Sequence, residues 1–203
     1  MFSLITSILI IYTITQPLIL FSDDLDNLRK EFIHELLDRD IQEGPFSLSY
    51  TLKTSLHSNS VISLFGELSV QDRLPHGWTA YEGRTYFKIA DAFEEVKIDD
   101  LFPTAEHRDL LKKYCERTLQ NNPLSYLSER ENSFNPEYIN TFVVTNSDFI
   151  LIFQPYTVAG LSDGPFHLKI PFETLTQLGV THPLVTSLQQ LTHSEQIISF
   201  CDF

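Results

Sequence analysis

The sequence predicts an α+β domain with an antiparallel sheet of about six to seven strands packed against two main helices. Two stretches repeat apolar residues at helical spacing, and several short segments alternate polar and apolar residues with the period of a half-buried strand. Gly, Pro and Asn punctuate the chain between those segments, as turns require. Of the 203 residues, 42% are hydrophobic and 16 are Phe, enough apolar surface for one core.

The first segment stands apart from the domain that follows it. Met1 to Ser22, MFSLITSILIIYTITQPLILFS, holds no charged side chain and is followed at once by Asp23, Asp24 and Asp26. About 20 apolar residues span a bilayer. It therefore reads as a signal peptide or an N-terminal membrane anchor, with a buried cytosolic helix as the third option. No Lys or Arg precedes the apolar run, and Leu20 is large for its place before a cut after Ser22, both of which weigh toward the anchor. Residues 23–203 are then a single extracytoplasmic domain, periplasmic, cell-surface or secreted, touching a membrane only through residues 1–22 if these are uncleaved.

Leu25, Leu28, Phe32, Leu36 and Leu37 place an amphipathic helix over Asp23 to Ile41, with its acids at the positive end of the helix dipole and Gly44-Pro45 as its stop. Phe46, Leu48, Tyr50 and Leu52 alternate with polar residues as a strand, and His57 to Ser60 turns the chain into a second one, Val61 to Val70, in which Gly66 marks a bulge. The polar loop Gln71 to Trp78 leads to strands over Thr79 to Ala90 and Phe93 to Ile98. Thr104 caps the second helix, whose apolar face includes Leu110, Leu111, Tyr114 and Leu119. Asn121 to Glu137, rich in Asn-Pro signals, reads as a long surface loop. Tyr138 to Thr145 and Phe149 to Gln154 make a hairpin around Asn146-Ser147-Asp148, and Phe166 to Ile170 is a further strand ending at Pro171. Leu184, Leu188, Leu191 and Ile197 are spaced for part of a helix in the tail.

With 14 basic and 27 acidic residues the net charge is −13, which argues against nucleic acid as a partner and fits either a cationic one or a charge that simply keeps the domain soluble. The only cysteines, Cys115 and Cys201, are open to a disulfide in an oxidising compartment and too few for a zinc ribbon. The 7 histidines include no His-x-x-x-His pair, and His34-Glu35 is followed at position 38 by Asp38, so no metal site and no cofactor are expected. Nucleophile elbows, phosphate loops and dinucleotide fingerprints are missing, so no catalytic residue is assigned. Glu94-Glu95 and Asp99-Asp100 read as surface charge. The local cluster that suits binding is Arg73, His76, Trp78 and Tyr81, since Trp and Arg concentrate at hot spots; its competing reading is a Trp packed under a turn.

From Thr141 to Leu175 the chain reads TFVVTNSDFILIFQPYTVAGLSDGPFHLKIPFETL. A hairpin ends in Phe153-x-Pro155-Tyr156, a loop closes on Gly164-Pro165, and an apolar strand runs into Ile170-Pro171-Phe172. Val61 to Leu64, His76 and Ile98 to Phe102 follow in a matching earlier order. This arrangement resembles the extracytoplasmic domain of unknown function found at the C-terminus of lysozyme-binding anti-sigma factors and of some peptidoglycan or polysaccharide deacetylases. The resemblance covers most of the chain after Ser22. Phe153, Pro155, Tyr156, Gly164, Pro165 and Pro171 have structural roles in it, because turn chemistry accounts for them. With the apolar segment at residue 1, the sigma-binding and deacetylase regions are not expected here. The resemblance implies an exported, non-enzymatic binding domain of the cell envelope whose partner is a cationic protein such as lysozyme or a cell-wall polysaccharide. The alternatives are a small envelope hydrolase with a carboxylate site and a membrane-anchored structural or interaction protein.

Overall fold

The computed structural model describes residues 9–13, 23–38, 47–71, 77–128, 134–160 and 164–191. Their order is β1 (Leu9–Thr13), α1 (Asp23–Asp38), β2 (Ser47–His57), β3 (Val61–Gln71), β4 (Trp78–Ile89), β5 (Ala92–Val96), α2 (Ile98–Leu101), α3 (Ala105–Gln120), β6 (Phe142–Val144), β7 (Asp148–Phe153), β8 (Phe166–Pro171), α4 (Phe172–Gln177) and α5 (Pro183–Leu191). The α+β class is as expected, and the two main helices are α1 and α3, each of 16 residues.

The expected single sheet is instead two, a five-stranded one ordered β1-β2-β3-β4-β5 and a three-stranded one ordered β6-β7-β8. After β5 the chain makes a long helical excursion through α2 and α3 before β6, so no short turn forces β6 back into the first sheet. Between Ser47 and Thr51, β2 pairs in parallel with β1, which is drawn from the apolar N-terminal segment. The rest of the signal or anchor assignment lies outside the described residues. No helix among the described residues is long and apolar enough to cross a membrane.

The chain divides into two compact units, one of Met1–Lys53 and Gly66–Tyr81, the other of Thr54–Phe65 and Glu82–Phe203. In the first unit, Leu25, Arg29 and Phe32 form the buried stripe of α1 at helical spacing. Phe32 meets Tyr50 of β2 edge-on at 6.3 Å. The bulge expected at Gly66 is a close approach: an added Cβ would meet the Tyr50 hydroxyl and lie 3.2 Å from Phe32 Cζ.

The second unit holds the main core. Phe102, Leu111, Cys115 and Leu119 bury the inner face of α2 and α3 against the three-stranded sheet, and Leu184, Val185, Leu188 and Leu191 bury α5 in the same cluster. Thr104 caps α3 by accepting a hydrogen bond from the His107 amide, as its spacing predicts. A buried hydroxyl group locks β6 in place. Ser63 Oγ accepts from Val144 N at 3.0 Å and lies 2.9 Å from Thr85 Oγ1, so the two backbone strands and β6 share one polar junction inside an apolar core.

The loop expected over Asn121 to Glu137 is only partly superficial. Tyr126–Ser128 and Pro136–Tyr138 are single turns of 3-10 helix, and Phe134 is buried with its ring 5.7 Å from that of Phe153. Tyr138 therefore lies in a turn rather than in the expected strand, and pairing begins only at Phe142. The short helices α2 and α4 replace the end of one expected strand and an unassigned stretch. Gly179, at φ +87, ends α4, with its own amide on Thr176 O and that of Val180 on Leu175 O.

Candidate functional site

β7 is the middle strand of its sheet, and Phe149 to Phe153 are buried on both faces. Pro155 has no amide to donate, so the chain leaves the sheet just after Phe153. Tyr156 then adopts φ +68, a left-handed conformation that costs a residue with a Cβ roughly 1–2 kcal/mol relative to Gly. Three local bonds impose it: Tyr156 N to Ala159 O at 3.1 Å, Thr157 N to Gln154 O at 3.2 Å, and Thr157 Oγ1 to the same carbonyl at 2.6 Å. The strained residue is 67% exposed, so its side chain gains little from the core.

A second loop lies beside this turn. Tyr126 N donates to Val158 O at 2.8 Å, which ties the 3-10 turn after α3 to the Tyr156 turn. Asn122 Oδ1 accepts from Leu124 N at 2.9 Å and fixes the loop that precedes it. Leu124 and Tyr126 are exposed, at 66% and 38%, although Ser125 between them is buried. The two tethered loops thus carry three large exposed side chains, Leu124, Tyr126 and Tyr156. Isolated exposed apolar residues are ordinary, but a set of them held by a strained backbone is the kind of surface that binds.

Of the cluster expected from the sequence, Trp78 and Tyr81 lie among the described residues. Arg73 and His76 lie outside the described residues. Trp78 is 48% exposed rather than packed under a turn, and Tyr81 is half-buried with its phenol pushed up by burial and by Glu67. Three positions apart on β4, Trp78 and Tyr81 fall on opposite faces of the sheet by strand alternation. Tyr156 was assigned a turn role, and it has one, but its ring faces solvent as well. Leu124 and Tyr126 were missed. Their signal is the apolar group Leu124, Tyr126 and Leu127 in a largely polar, Asn-Pro-marked loop.

Other chemistry is accounted for by structure. Cys115 is a free, fully buried thiol whose pKa is pushed up to about 12 by burial, and Cys201 lies outside the described residues. Arg84, 5% exposed, donates through Nε and Nη2 to Glu82 Oε1 at 3.0 and 2.9 Å, a partly buried pair on β4, and its Nε lies 3.9 Å from Glu95 of β5. Glu94, Glu95, Asp99 and Asp100 are exposed, as their sequence reading had it; Asp100 accepts from Lys97 N and Asp99 pairs with Arg108. Among the described residues, no group of three or more His, Cys, Asp or Glu is arranged to hold a metal ion.

His182 precedes Pro183 at the start of α5, and its Nδ1 accepts from Leu184 N at 3.2 Å, so that nitrogen must be unprotonated. Burial pushes its pKa below the ordinary value, and Asp100 partly opposes this. The folded state therefore prefers neutral His182. Its contribution is complete above the unfolded pKa of about 6.5 and is lost as pH falls through the lower folded pKa. His182→Asn keeps an acceptor at this position, so urea unfolding across that acidic window should show a flatter loss of stability than in the wild type. An unchanged slope would rule out His182 as the titrating group.

Comparison with known proteins comes down to the fold and one segment. No curated protein matches the sequence. The crystal structure of a DUF3298 family member from Bacteroides fragilis superposes with a TM-score of 0.53 at 13% identity, over 81% of this chain and 67% of that one. A DUF3298 family protein from Pseudomonas aeruginosa PAO1 gives a TM-score of 0.47 at 15% identity, over 76% of this chain and 69% of that one. Residues 99–173, from α2 through the Tyr156 turn to the start of α4, match the family described as "Protein of unknown function (DUF3298)".

Proposed function

We propose that this protein is an exported binding domain of the bacterial cell envelope and that it docks its partner through the tethered loops bearing Leu124, Tyr126 and Tyr156. The observation that carries this reading is Tyr156, a bulky aromatic residue kept at φ +68 while 67% exposed, where Gly would sit without strain. Strain at an exposed side chain contributes nothing to folding, and it is retained where a side chain must be presented. Tyr is also suited to presentation, because it offers a large amphipathic surface with few rotatable bonds to immobilise. Export rests on the resemblance to extracytoplasmic domains, since part of the Met1 to Ser22 segment pairs with the domain as β1. From that resemblance the partners are a lysozyme-like cationic protein or a peptidoglycan-type polymer, and the net charge of −13 steers a cationic protein toward the domain.

The test compares wild-type and Tyr156→Gly chains for co-sedimentation with peptidoglycan and for retention on immobilised lysozyme. Gly occupies positive φ freely, so the variant removes the ring without loosening the turn. Saturable wild-type binding to at least one partner is expected, weakened about tenfold or more in the variant, the scale of a hot-spot residue. Equal binding by the two chains would place the docking face elsewhere, and no binding to either partner would refute the proposal.

A further inference from the structure

We infer that Leu9–Thr13 is a detachable edge strand, paired with β2 in water and released from it when the apolar segment around it enters a bilayer, so that membrane insertion and completion of the five-stranded sheet exclude each other. The segment has two ways to bury itself. From Met1 to Ser22 it holds no charged side chain, and about 20 apolar residues are enough to span a hydrocarbon core. In the structure its middle is instead the strand LIIYT, which runs parallel to β2 with Leu9 opposite Ser47, Tyr12 opposite Tyr50 and Thr13 opposite Thr51.

The two placements compete for the same backbone groups. Inside a bilayer there is no water for amides and carbonyls to bond, so a spanning segment must satisfy them internally, as a helix does. An edge strand does not meet that condition, because its bonds run to one neighbouring strand on one side and are left to solvent on the other. Leu9–Thr13 therefore has to give up its bonds to β2 before the segment becomes a spanning helix.

Topology keeps the release local. Parallel neighbours need a long crossover, and α1 supplies it between β1 and β2. Because β1 stands at one end of the strand order, its departure breaks a single ladder and leaves β2 beside β3. The edge-on contact of Phe32 with Tyr50, at 6.3 Å, joins α1 to β2 without help from β1. What release changes is the outer edge of β2 from Ser47 to Thr51, whose backbone groups lose their partners and open to solvent.

The full chain carrying both Ile11→Cys and Ser49→Cys tests the exclusion. Positions 11 and 49 are partners across the ladder, and strands about 5 Å apart fall within the Cα separation that a disulfide spans. Peptide mapping after oxidation should show the link between these two positions. Flotation with uncharged phosphatidylcholine vesicles should carry the wild type and the reduced variant, and the oxidised form of the same variant about tenfold less or weaker still. On the vesicles, hydrogen exchange of the wild type should rise about tenfold or more at Ser47 to Thr51, while α3 keeps its protection. A link that does not form, a wild-type chain that stays off the vesicles, an oxidised variant that floats like the reduced one, or unchanged exchange at Ser47 to Thr51 would each overturn the inference.

Discussion

Phe153→Ala is expected to lower the unfolding free energy by about 3–5 kcal/mol, the range for removing a fully buried aromatic ring. Phe153 has no exposed surface, sits on the central strand of the three-stranded sheet, and contacts Phe134 and Phe166 at ring distances of 5.7 and 6.5 Å. Its neighbours come from a strand and from the segment after α3, so they cannot collapse together into the space. A domain of this size has roughly 5–15 kcal/mol in total, so the loss is a large part of it. Urea unfolding should show the midpoint falling sharply, and Phe153→Leu, which refills most of the volume, should cost much less. Similar midpoints for the two variants would mean that the ring does not hold the sheet to the segment carrying Phe134.

Gly83→Ala is the second large effect, and its sign separates two opposing terms. On general grounds, replacing Gly with Ala at a compatible backbone stabilises a protein by about 0.4–1 kcal/mol, because the unfolded chain loses freedom. At this position the added Cβ would meet the carbonyl oxygen of Phe142 and lie 2.7 Å from its carbon and 2.8 Å from Val143 Cγ1. The obstruction is backbone, which cannot swing aside like a flexible side chain. β6 would have to shift, and with it the 3.0 Å bond from Val144 N to Ser63 Oγ. Overpacking of this kind costs about 1–3 kcal/mol, and the broken buried hydrogen bond adds about 1 kcal/mol or more. The clash wins. Equilibrium unfolding should give a net loss of about 2 kcal/mol or more; a net gain would show that β6 does not cross β4 at Gly83.

Most of the elements were legible because their signals are local. The spacing Leu25, Leu28, Phe32 identified α1, Thr104 marked the start of α3, and Asn146-Ser147-Asp148 marked the turn between β6 and β7. The division into two sheets was not legible. It depends on where β6 comes to lie after the excursion through α2 and α3, and the close approach of Phe142 to Gly83 appears only in the folded chain. The helix α4 was missed because 6 residues are too few to show a period, and its stop at Gly179 depends on bonds back to Leu175 and Thr176. Phe134 reads as part of a surface loop because its polar neighbours hide an apolar anchor, and its burial comes from Phe153 and Tyr138.

The candidate site follows the same division. Pro155 and Tyr156 were visible as turn residues, but neither the positive φ nor the exposure of the ring can be read from a Pro-Tyr pair. Tyr126 joins it through a hydrogen bond between segments far apart in sequence. Trp78, the single Trp, falls on the opposite face of β4 from Tyr81, which its place in the sequence does not show until the strand is known.

The measurement that bears most directly on the docking surface is backbone hydrogen exchange of the full chain, free and bound to peptidoglycan or lysozyme. Protection is expected to concentrate at the amides of Leu124 to Leu127 and Tyr156 to Ala159, with those around Trp78 unchanged. Protection confined to the Trp78 region, with the Tyr156 turn exchanging as in the free protein, would contradict the account.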